Sequence, residues 1–187
     1  MNIKPNSLKK TALSALFLAL GSVLPLLTAQ VKEIGDTLLP MHIPVLLCGL
    51  ICGGGYGFAV GLILPPFRSL IFGMPPLYPN SVWMAAELAV YGLISGVIYS
   101  KCKTKNTAAV YFAIIPAMLA GRVVWGVLKR FLLGLSGKGF TFSMFVAGGF
   151  IDAFPGIILQ LILIPFIMKL INLNSLKSDN SAITDKP

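Results

Sequence analysis

Apolar runs alternate along the chain with short polar, glycine-rich or proline-rich breaks, and most runs are as long as membrane-crossing helices. A spanning helix needs about 20 apolar residues. The first run extends from about Thr11 to Ala29, before the polar stretch Gln30 to Asp36. A second, shorter run covers Met41 to Gly53, and Gly53-Gly54-Gly55 divides it from a third, Tyr56 to Phe72. The proline-rich stretch Gly73 to Asn80 forms the next loop. The fourth run spans Ser81 to Tyr99, followed by the lysine loop Lys101 to Lys105. The fifth covers about Thr107 to Leu128; the linker Lys129 to Thr141 follows, and the sixth run covers Phe142 to Ile171. The pattern predicts an all-α integral membrane protein, with six transmembrane helices in a compact bundle over residues 1–172. The polar residues 173–187 read as a disordered tail. Residues 41–72 make either two short spans or one re-entrant hairpin.

Composition agrees with the pattern. Of 187 residues 56% are apolar and 11% charged, with a mean hydropathy of +0.86. A soluble domain is roughly one quarter charged. A water-soluble globule of this make-up would leave a very large apolar surface in water. A cytosolic enzyme, a disordered chain and a nucleic-acid module are excluded. The net charge of +9 comes from lysines clustered between apolar runs, without a basic stripe interleaved with aromatics.

Those lysines orient the helices. With six spans, the two tails and the loops after the second and fourth helices share one side. That side carries Lys4, Lys9, Lys10, Lys101, Lys103, Lys105, Lys169, Lys177 and Lys186; the other carries Lys32, Lys129, Arg130 and Lys138. Both termini are therefore expected in the cytoplasm. The first run has a rival reading as a cleaved signal peptide, but it is long for that role and Leu27-Thr28-Ala29 is a poor cleavage site. No inverted repeat is visible.

Charges inside apolar spans are costly and mark function by default. Arg68 lies about one turn below the outer end of the third helix, and Glu87 is six residues down the fourth. Arg122 falls six residues short of the fifth helix's outer end, Asp152 about ten residues down the sixth, and His42 opens the second. All five fall in the outer half of the bilayer, with no matching acid or base in the inner half. That describes a dead-ended outward pocket rather than an ion relay. Trp83, Glu87 and Tyr91 recur every four residues and share a helix face. Arg122 and Lys129 are two turns apart with Trp125 nearly in line, and Asp152 and Gln160 are eight apart on one face. The loop Met74 to Asn80, with Tyr78 and three prolines, is stiff enough to cap the mouth. Aromatic walls with a few fixed polar groups suit a small organic ligand. The charges also have a plainer use, pairing with one another to pin the bundle, and Trp83 and Trp125 one as interface aromatics.

Small residues mark helix contacts. Ala15 and Ala19, extended by Ala12, form a small-xxx-small row on the first helix, as do Gly57 with Gly61 and Gly92 with Gly96. Cys48, Cys52 and Cys102 are too few for a disulfide framework and lack metal-ligand spacing. They read as packing residues.

The segments MHIPVLLCG at 41–49, PPFRSLIFGMPP at 65–76, AAELAVYGLISG at 85–96, AGRVVW at 120–125 and PGIILQLILIP at 155–165 carry a resemblance over roughly residues 8–172. The chain resembles the substrate-binding S component of an energy-coupling factor (ECF) vitamin transporter, of the branch that includes pantothenate and riboflavin S components. The resemblance implies a multi-pass protein of a prokaryotic plasma membrane that binds a small water-soluble vitamin from outside. It implies partners: a membrane coupling (T) subunit, docked through Ala15 and Ala19, and two ATP-binding cassette ATPases that use the ATP. This chain has no Walker motif, needs no cofactor or metal of its own, and binds no nucleic acid. The expected substrate-binding residues are His42, Arg68, Tyr78, Asn80, Trp83, Glu87, Tyr91, Arg122, Trp125 and Asp152. Pantothenate is the first expected ligand, its carboxylate suiting Arg68 or Arg122 and its hydroxyls Glu87, Asn80 or Asp152; riboflavin follows. Two other readings remain: an intramembrane enzyme using His42, Glu87 and Asp152 as acid–base groups, and a structural subunit whose charges pair internally.

Overall fold

The structure, a computed structural model, describes residues 7–28, 37–135, 137 and 139–184; of residues 27, 28 and 172–184 only the backbone is described. Helix α1 covers Ser7–Val23 and tightens into a 3-10 turn at Leu24–Thr28, where Pro25 lacks an N–H to continue the α ladder. Helix α2 covers His42–Cys52. It ends at Gly53, whose φ of 104° lies in the region that favours glycine. Helix α3 begins at once, Gly54–Phe72, and stops at Gly73 with φ 71°. The proline loop follows, with a wide turn at Leu77–Ser81. Helix α4 is Val82–Lys101 and α5 is Thr107–Leu135. The Asn106 side chain caps α5 by accepting from the Ala109 N–H at 3.0 Å. Helix α6, Phe142–Val146, is capped by Thr141, runs into a wide turn at Ala147–Ile151, and is followed by α7, Phe154–Thr184.

The all-α reading stands: five helices are long and apolar enough to cross a membrane, with α2 and the 142–151 segment shorter. Residues 41–72 form two helices that meet at a single glycine. With only 11 residues, α2 is about 16 Å long, well short of the roughly 30 Å hydrocarbon thickness. The expected sixth run is corrected. Residues 142–171 are not one helix, because the chain breaks at Asp152 and Ala153, where the Asp152 N–H bonds back to the Ala147 carbonyl at 2.9 Å. Gly148 and Gly149 weaken the helix there, and Pro155 sits in the first turn of α7, where its missing N–H costs nothing. The fifth run is corrected too: α5 continues to Leu135, so Lys129 and Arg130 are helical rather than in a linker. The backbone of α7 stays helical to Thr184, beyond the boundary at 172 where the sequence suggests a disordered tail. Lys32, Lys138 and the Gln30 to Asp36 stretch lie outside the described residues.

Helix α4 is the centre of the bundle, packed against α2, α3 and α5. Its fit to α2 and α3 depends on glycine. A Cβ on Gly92 would sit 2.2 Å from the Gly57 carbonyl oxygen, and one on Gly96 2.3 Å from the Gly54 nitrogen, so these backbones touch directly. Leu46, Leu64, Leu88, Ile114 and Ile164 fill the core around this crossing. Ser7 reaches Tyr56 at 3.3 Å, so the start of α1 shares an end of the bundle with Gly53 and the α4–α5 loop. The opposite end carries Pro25, His42, the proline loop, the C-terminus of α5 and the 142–151 segment. The functional geometry is at that end.

Candidate functional site

A cavity of about 510 Å³ opens among these segments. Each wall has a local reason to be there. Met41 and His42 arrive at the start of α2, while Arg68 comes from the last turns of α3. Glu87 and Trp83 lie one turn apart on α4, and Arg122, Trp125 and Lys129 climb one face of α5 at helical spacing. Met74, Pro75, Pro76 and Asn80 close one side from the proline loop, and Gly148 and Asp152 come from the broken segment.

The floor is a buried ionic cluster. Arg122 Nη1 lies 3.0 Å from Glu87 Oε1, with 5% and 2% of the side chains exposed. His42 Nε2 approaches the same oxygen at 3.5 Å, and the His42 ring packs edge-on against Tyr91, centroids 5.1 Å apart. Burial of this kind is tolerated because the charges compensate each other. A second cation is held differently. Arg68, 4% exposed, donates from Nε to the Ser22 carbonyl at 3.3 Å and from Nη1 to the Met74 carbonyl. Its Nη2 is buried with no hydrogen-bond partner among the described residues.

The upper wall is aromatic. The Lys129 ammonium lies 4.4 Å from the Trp125 ring centroid, 5.4 Å from Phe140 and 5.6 Å from Trp83, within cation–π range of all three. Phe145 leans on Trp125 at 6.1 Å and occupies the space a side chain at Gly126 would need. Among the charged residues lining the cavity, Arg68, Arg122 and Lys129 stand against Glu87 and Asp152, with His42 taken as neutral.

Of the residues singled out from sequence, His42, Arg68, Asn80, Trp83, Glu87, Arg122, Trp125 and Asp152 line the cavity. Two do not. Tyr78 is 60% exposed on the loop, pointing away from the mouth it was expected to cap. Tyr91 lies beneath the floor, 1% exposed, in the gap left by Gly121. Asp152 reaches the cavity from a chain break and is exposed, not from ten residues down a helix. It therefore shares no helix face with Gln160, which is fully buried and does not line the cavity. The plain pairing alternative describes Glu87 with Arg122 and His42, but not Arg68. Trp83 and Trp125, each 7% exposed, are cavity walls rather than interface aromatics. Lys129, Met41, Met74 and Met84 also line the cavity, outside the expected substrate-binding set. The spacing of Lys129 from Arg122 was the available signal. Ala15 and Ala19 face outward from α1, away from the cavity. Among the described residues no His/Cys/Asp/Glu group is placed to hold a metal.

A helical bundle with glycine-tight crossings at one end and a charged, aromatic-walled cavity at the other is the form of a membrane protein that holds a small solute. The sequence profile of the ECF transporter substrate-specific component family matches residues 9–168, and the chain belongs to that family. No curated protein and no solved structure matches it.

Proposed function

We propose that the protein is the vitamin-capturing subunit of an ECF importer, taking a small water-soluble vitamin from outside the cell. Pantothenate is the first candidate and riboflavin the second. The observation that carries this reading is the cavity itself: about 510 Å³ at one end of the bundle, with Arg68, Arg122 and Lys129 beside Glu87 and Asp152 among its described lining residues. That volume suits a compact organic ligand. Arg122 and Glu87 form a polar floor for hydroxyls, and the tryptophans supply apolar walls.

Both described ends of the chain lie opposite the cavity, and the lysines near that end support a cytoplasmic location for it. Below the floor the Gly49, Gly57, Gly92 and Gly96 contacts bring backbones together, which favours a closed inner half. Release into the cell then requires the whole subunit to tip, carrying the cavity across. Ala15 and Ala19 offer a flat, exposed strip on α1 for docking to the coupling subunit, and two partner ATPases drive the step. The reading assigns no chemistry to the chain itself: Glu87 pairs with Arg122, with His42 beside it, and Asp152 is exposed at the cavity.

Native mass spectrometry of the purified protein tests the reading. A co-purified vitamin released on activation is the expected result. Turnover of an added lipid would favour the intramembrane enzyme instead, and the absence of any bound or bindable vitamin would favour a structural subunit.

A further inference from the structure

Arg68 is the cavity's unfinished group. Glu87 neutralises the charge of Arg122 at 3.0 Å. Arg122 Nε and Nη2 are, like Arg68 Nη2, buried without a hydrogen-bond partner among the described residues; what sets Arg68 apart is its missing counter-charge. Arg68 is as deeply buried, yet no carboxylate lies within ion-pair distance of it among the described residues, and its two bonds go to neutral carbonyls. A buried cation without a counter-charge is costly. The guanidinium nitrogen left over, Nη2, is buried without a partner in a residue that lines the cavity. That is the vacancy a ligand anion would fill.

The two bonds Arg68 does make join separate parts of the molecule. Nε holds the Ser22 carbonyl near the end of α1, and Nη1 holds the Met74 carbonyl in the proline loop. Helix α1 is the least buried of the spans, with 22% of its apolar window inside the bundle, so single ties at its cavity end matter. Resting on the capture reading, we propose that Arg68 is the cavity's anion receptor and also the tie that couples ligand occupancy to the proline loop and the cavity end of α1. A carboxylate on Nη2 supplies the missing counter-charge, holds the guanidinium in place, and so fastens the loop and α1 together. Arg122, its charge already balanced by Glu87, contributes less to anion binding than Arg68.

The test uses the purified full-length protein, with pantothenate and its neutral alcohol, panthenol, as probes, alongside biotin, nicotinate, riboflavin and thiamine. The wild type should bind a carboxylate vitamin roughly ten- to a hundred-fold more tightly than the matching uncharged analogue, the range for a hydrogen bond to a charged group. Arg68→Gln should erase that preference, leaving the analogue's affinity within about three-fold, and Arg68→Lys should restore part of it. Amide hydrogen exchange over residues 73–81 and 20–26 should slow when the carboxylate binds the wild type. It should not change in Arg68→Gln.

Tight binding of riboflavin or thiamine with no carboxylate bound would leave vitamin capture standing and overturn the anion assignment. Equal affinity for acid and alcohol in the wild type would overturn it without any variant, even if Arg68→Gln fails to fold. Carboxylate preference with unchanged exchange in both segments would overturn the coupling. Failure of every probe to bind would remove the capture reading, and the receptor role with it.

Discussion

Removing the counter-charge at the cavity floor should show whether Glu87 and Arg122 act as one unit. Glu87 is 2% exposed, with Arg122 at 3.0 Å and His42 at 3.5 Å from the same oxygen. Arg122→Met leaves the carboxylate facing only a histidine, and breaking a buried pair from one side costs about 3–5 kcal/mol. Glu87→Gln keeps an oxygen to accept from Arg122 but leaves that guanidinium buried without its counter-charge, so its loss should be similar, about 3–5 kcal/mol. The double variant leaves no buried charge at the floor. It should lose less than the two single losses together, by about 2–3 kcal/mol. The assay is unfolding in detergent mixtures of rising dodecyl sulfate content, followed by tryptophan fluorescence. Trp83 and Trp125, the two tryptophans of the chain, both line the cavity, so the signal reports the site. Additivity within about 0.5 kcal/mol would refute the unit.

Other substitutions probe the rest of the account. Gly92→Ala would drive a Cβ to 2.2 Å from the Gly57 carbonyl and should sharply lower the yield of folded protein. Gly55→Ala, a helical position with nothing within 4 Å, should be neutral or stabilising by up to about 1 kcal/mol. Gly53→Ala forces an L-residue to φ 104° and should cost about 1–3 kcal/mol by the same unfolding assay. Ala15→Trp with Ala19→Trp should abolish vitamin uptake by cells while the purified subunit still binds ligand; loss of both together would place docking and binding on one surface. Lys129→Met should weaken vitamin binding in a ligand titration and lower stability by about 1–2 kcal/mol, as its ammonium stands among three rings.

Much of this was legible because helices in a membrane obey two strong constraints, apolar length and the cost of buried charge. Arg68, Glu87 and Arg122 stand out in any apolar run, and counting turns from the helix ends brought them to one level. The failures are local. Lys129 reads as the start of a loop because a lysine ends the apolar run, yet the helix continues to Leu135. The apolar stem of such a side chain can lie along the wall while its ammonium meets the rings. Tyr91 shares its helix face with Glu87, but spacing alone does not say that Gly121 opens a slot one turn below the floor. Asp152 is harder to place from sequence because residues 142–171 carry a nearly continuous apolar signal, which masks the helix break that Gly148, Gly149 and Pro155 favour. Tyr78 sits on a loop whose course depends on prolines rather than periodicity.

The central claim is that the cavity faces the outside of the cell and holds a vitamin there. Its most direct test is labelling of Asn80→Cys in intact cells with a membrane-impermeant maleimide, beside Lys103→Cys. Cys48 and Cys52 are buried and Cys102 half-buried, so the parent protein gives the background. Asn80→Cys should react in intact cells and be protected by the vitamin, while Lys103→Cys should react only after permeabilisation. The reverse order, or reaction at Asn80→Cys that no vitamin slows, would contradict capture from outside.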